Sequence, residues 1–68
     1  MSRSFEETRQ MAADNIGNME RQLARMTRTY DKYMKHGAVN AAAELMTGIE
    51  ALECEIAGEQ EMYRLAFY

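Results

Sequence analysis

YDKYMKHGAVNAAAELM, residues 30–46, is the stretch whose reading decides the fold of this chain. Leading into it, apolar side chains recur at Ala12, Ile16, Met19, Leu23, Met26, Tyr30 and Tyr33, in alternating steps of four and three. That spacing is a heptad seam, in which one line of a helix faces a partner helix. The pattern stops within the quoted stretch at Lys35, His36 and Gly37. Basic side chains suit the negative end of a helix, and glycine suits the left-handed residue that closes one. Past Gly37 the alternation restarts almost at once, at Ala38, Ala42, Leu45, Ile49, Leu52, Ile56, Tyr63 and Ala66, interrupted only by Glu59.

Two seams with so short a break predict two long helices, over about residues 5–36 and 39–66, with the turn at 37–38. A connection of that length makes the helices antiparallel neighbours, so the fold class is all-α, a helical hairpin. The register sets Tyr33 near Ala42, Met26 near Ile49, Leu23 near Leu52 and Met19 near Ile56. Ser4 to Glu7 matches a capping box, in which Ser4 accepts from the Glu7 amide and Glu7 reaches back. The absence of proline fits uninterrupted helices. Glu59 falls on the seam opposite roughly Ala12 and Ile16. A lone carboxylate there either leans into solvent or pairs with Arg9.

With 68 residues the chain holds one small domain, residues 1–68. A core of that size supplies only about 3–5 kcal/mol, and small scaffolds supplement it with disulfides, metals or a second subunit. Cys54 is the only cysteine, so no disulfide forms within the chain. Cys54 and His36 are the only soft ligands, so neither a structural metal nor a cofactor is expected. Association remains, and the expectation is a homo-oligomer, a dimer with a four-helix core being favoured. Thr47, Ala51, Cys54 and Gly58 form a row of small residues opposite Leu45 and Ile49, the expected self-association surface. The segment MSRSFEETRQ lacks the apolar run of a leader, and no stretch nears the roughly 20 apolar residues that span a bilayer. The expected setting is the cytoplasm, away from membranes.

Charge supplies the functional clues. Arg21, Arg25, Arg28, Lys32 and Lys35 draw one basic line along the first helix, although the chain carries a net charge of −3. Like charges at these spacings cost about 0.2–0.5 kcal/mol per pair, and only Asp31, paired with Lys35, offsets the run. Residues 38–68 carry six acidic groups and one basic group, so the two halves are opposite in sign. At the far end Met62, Tyr63, Leu65, Ala66, Phe67 and Tyr68 crowd beside Phe5. An apolar patch of that density marks an interface unless the tail folds over Phe5 and closes the open end. Among the methionines, Met19 and Met26 lie on the seam and Met34 and Met46 flank it, which leaves Met11 and Met62 for a partner.

Catalysis is not expected. His36 sits where a helix ends, and Cys54 has no basic neighbour to activate it. The Glu-x-x-His pattern of carboxylate-bridged metal bundles and a glycine-rich phosphate loop are both missing. The sequence reads as a non-enzymatic interaction protein, an adaptor, regulator or inhibitor that binds a partner protein. Its contact residues are Arg21, Arg25, Arg28, Lys32, Lys35, Met62, Leu65, Phe67 and Tyr68. Its size and simplicity match the phage and mobile-element inhibitors that block a host factor. The alternative is an RNA- or DNA-binding bundle dimer using the same basic line. In outline the hairpin resembles a family of small plasmid RNA-binding proteins, which dimerise into four-helix bundles; the likeness is of shape, with no shared motif. Against that alternative, the chain is acidic overall and its basic line is not interleaved with exposed aromatics. A merely solvated basic face is the third reading.

Overall fold

The computed structural model describes residues 4–68 as two helices, α1 (Phe5–Lys35) and α2 (Val39–Phe67), packed as an antiparallel hairpin. Residues 1–3, part of the segment read above for a leader, lie outside the described residues. The hairpin is a rod with Cα extents of 52 × 18 × 16 Å.

Ser4 starts α1 from an extended backbone, and its Oγ accepts from the Glu7 N–H at 3.1 Å. Only half of the capping box forms, because the Glu7 carboxylate takes up no hydrogen bond among the described residues. Glu6 and Glu7 still favour the first turn through the helix dipole. At the other end the Ala38 N–H donates to the Tyr33 carbonyl at 2.8 Å, and the Gly37 N–H to the Met34 carbonyl at 3.2 Å. These two bonds make a Schellman closure, and Gly37 takes its left-handed position with φ 75°. Helix α2 begins without help of its own. Its N-cap, Ala38, has no side-chain acceptor, and its first turn has no acidic residue. The turn that ends α1 is therefore also what starts α2.

Both seams face inward except at the end of α2, where Ala66 is exposed because the seam frays in the last turn. Ala42, Ile49, Leu52 and Ile56 of α2 are buried. Their partners Ala12, Ile16, Met19, Leu23, Met26, Tyr30 and Tyr33 are half-buried, and no residue of α1 is fully buried. Among the half-buried residues of α1 are the long Met19, Met26, Tyr30 and Tyr33, whose reach leaves part of each side chain wet. Gly48 lets one of them come close: a Cβ there would stand 3.0 Å from Met26 Cε. The accessible surface is 5312 Å². A compact monomer of 7.8 kDa exposes about 4,400 Å². The excess, on the order of 900 Å², comes from a body only two helices thick.

Candidate interaction surfaces

Helix periodicity sends the basic line to the outer edge of α1, opposite the seam. Arg21, Arg25, Arg28, Lys32 and Lys35 are all exposed. Arg21 donates to the Asn18 side-chain carbonyl. The other four make no hydrogen bond or ion pair through their side chains among the described residues. The expected Asp31–Lys35 pair is not made. Arg25, Arg28, Thr29 and Lys32 line a shallow depression, where the Thr29 hydroxyl turns inward to the Arg25 carbonyl at 3.0 Å. The one ion pair among the described residues joins Arg64 to Glu61 at 2.5 Å on α2. Its hydrogen bond holds the Glu61 carboxyl below the usual carboxylate range. The charges of the two helices thus remain on separate sides of the rod, where they do not neutralise one another.

Thr47, Ala51, Cys54 and Gly58 are exposed along the outer edge of α2, and the Cys54 thiol is free. A contact at this edge sets two hairpins side by side, whereas a four-helix core needs both helices of each copy to meet the other. A Cβ at Gly58 would meet nothing within 4 Å. In the lone hairpin Gly58→Ala is therefore expected to raise stability by about 0.5–1 kcal/mol, through the lower entropy cost of alanine in a helix. Thermal unfolding followed by circular dichroism measures this. A loss of stability, growing with protein concentration, would instead mean that a second helix sits against Gly58.

At the open end the tail stays helical through Phe67 and folds onto α1. Phe67 packs edge to face on Phe5, with centroids 5.3 Å apart, and leans on Tyr63 at 4.9 Å. Tyr68 meets Tyr63 at 6.0 Å. Arg9 Nε donates to Tyr63 Oη at 3.0 Å, and this bond is the main cause that raises the Arg9 pKa above its ordinary value. Of the expected contact residues, then, Phe67 is half-buried in an intramolecular cluster. Met62, Leu65 and Tyr68 stay 64%, 66% and 86% exposed.

Glu59 is half-buried in a groove with Ala12, Met62, Tyr63, Ala66 and Phe67 and has no side-chain partner among the described residues. Arg9, its alternative partner, is engaged by Tyr63 instead. Heptad spacing does not single out that bond, although Arg9 and Tyr63 both stand on the seams near the open end. Periodicity gives Val39 no assigned face and sets Met34 at the flank of the seam. Both are exposed, and both border a groove with Tyr30 and Met46 next to the turn.

Among the described residues no helix is long and apolar enough to cross a membrane, and no cluster of His, Cys, Asp or Glu could hold a metal ion. What the fold and its surfaces define is a two-helix hairpin with a basic edge, an acidic second helix and an apolar open end. No family model matches the chain, and neither a curated protein nor a solved structure matches it.

Proposed function

We propose that this hairpin is a non-enzymatic interaction protein that binds a partner protein in the cytoplasm, as an adaptor, regulator or inhibitor. The reading includes self-association, with a dimer and a four-helix core favoured. It also includes an origin as a phage or mobile-element inhibitor of a host factor, suggested by the chain's small size and simple build. The observation that carries the reading is the four unpartnered cations on one edge, combined with Met62, Leu65 and Tyr68 standing exposed at the open end. A charged edge steers and orients an encounter, while desolvated apolar anchors supply most of the affinity.

A pull-down from cell lysate with the tagged chain, followed by mass spectrometry, tests this. The expected result is a stoichiometric protein companion, lost with Arg25→Glu plus Arg28→Glu and with Leu65→Ser plus Tyr68→Ser. Recovery of nothing by the intact chain would refute the reading.

The same unpartnered cations favour a second reading, an RNA- or DNA-binding bundle. If the edge neutralises phosphates, retention in a filter-binding assay falls linearly with log salt, by a slope of about 0.7–0.9 per phosphate contacted. Absence of retention at low salt ends that reading.

A further inference from the structure

We infer that a second copy of this chain docks on α1 through the exposed row Glu7, Met11, Asn15, Asn18, Gln22 and Arg25, the two α1 helices running antiparallel across a two-fold axis. The inference deepens the self-association proposed above, on which it rests, by naming the face and the symmetry.

Symmetry selects the face. A two-fold contact lays one patch against itself, so a patch of single sign repels its own copy. The basic edge of α1 fails that condition, as does a surface centred on the glutamates of α2. The row from Glu7 to Arg25 meets it. Its members follow one another in steps of four, four, three, four and three, and every one of them is exposed. The charge is negative at one end, positive at the other and zero between. Glu7 and Arg25 are separated by five full helical turns, so they project in the same direction about 27 Å apart. Antiparallel pairing brings Glu7 of each copy to Arg25 of the other, twice per dimer.

The charged groups at stake are available. Neither the Glu7 carboxylate nor the Arg25 guanidinium has a partner among the described residues. Between them Asn15 donates to nothing better than the Met19 sulfur, at 3.8 Å. Sulfur is a weak acceptor, so this amide gains from a carboxamide across the axis. Met62 shares a groove with Ala12 and, being 64% exposed, extends the apolar part of the contact. The size also fits. The surface excess of about 900 Å² per chain is near the roughly 800 Å² that each partner buries in a standard interface.

Sedimentation equilibrium of the purified full chain and of charge-swapped variants tests this. The native chain is expected to be a dimer at about 100 μM. Arg25→Glu alone and Glu7→Arg alone each weaken dimerisation at least about tenfold, and the double variant E7R/R25E recovers to within about threefold. Gln22→Glu, an exposed change at mid-helix that leaves the hairpin folded, weakens the dimer with no rescue by the swap. A double variant no tighter than its parents overturns the inference, as does a native chain that stays monomeric. A monomer that still retains a lysate protein overturns this inference and the self-association it rests on but leaves the partner-binding reading standing, whereas a dimer that retains none overturns the partner-binding reading alone.

Discussion

Ile49→Ala is expected to abolish the cooperative thermal unfolding of the isolated hairpin. Ile49 is 5% exposed and is one of four buried apolar residues among the described residues, near the middle of α2. Truncating a buried isoleucine to alanine costs about 2–5 kcal/mol, from lost transfer energy and the cavity left behind. A single core of this size rarely supplies more than about 3–5 kcal/mol, so the loss equals most of what holds the rod together. Two helices crossing along one seam have no second layer to collapse into the gap. Circular dichroism melts at low concentration read the effect without help from association, which adds stability by mass action. Ile49→Val should cost about 0.5–1.5 kcal/mol and keep a sharp transition. A loss below about 1 kcal/mol for the alanine variant would show that the seam is not the stabilising core.

The second large effect is expected at the turn. Gly37 has φ 75°, and a Cβ added there would meet nothing within 4 Å. Crowding therefore contributes nothing, and the cost of a substitution comes from the backbone alone. An L-residue in the left-handed region costs about 1–2 kcal/mol, with a β-branched side chain at the upper end and asparagine at the lower. Gly37→Val should lower stability by about 2 kcal/mol, Gly37→Ala by about 1, and Gly37→Asn by less. The penalty is not absorbed elsewhere, because Ala38 offers no side-chain cap and the two closure bonds at Tyr33 and Met34 depend on this conformation. Urea unfolding of the three variants gives the ranking. Equal midpoints for valine and asparagine would refute the backbone argument.

The hairpin was legible because its information is local and periodic. Tyr33 and Ala42 announce their inward faces by heptad spacing, and Gly37 announces the break by the conformation it alone adopts freely. The open end was legible only in part. Phe67 and Leu65 read alike in the sequence, as apolar residues near a terminus. One packs on Phe5 and the other stands 66% exposed, because helix α2 continues to Phe67 and its last turn rotates only one of them inward. Arg9 had two eligible partners near the seam, Glu59 and Tyr63. Spacing could not choose between a carboxylate and a phenol that both lie within a long side chain's reach.

By itself the sequence determined two helices, their antiparallel order, the inward lines and the separation of basic from acidic halves. Each of these follows from residue type at a fixed period, which needs no knowledge of distant atoms. Tertiary structure alone decided which cations stay unpartnered, how the tail divides between shelter and exposure, and how closely Met26 of the other helix approaches Gly48. Those outcomes depend on how two rods are rotated and shifted against each other. A rotation of a few tens of degrees, invisible to periodicity, exchanges a residue at the rim of the contact for one in the open.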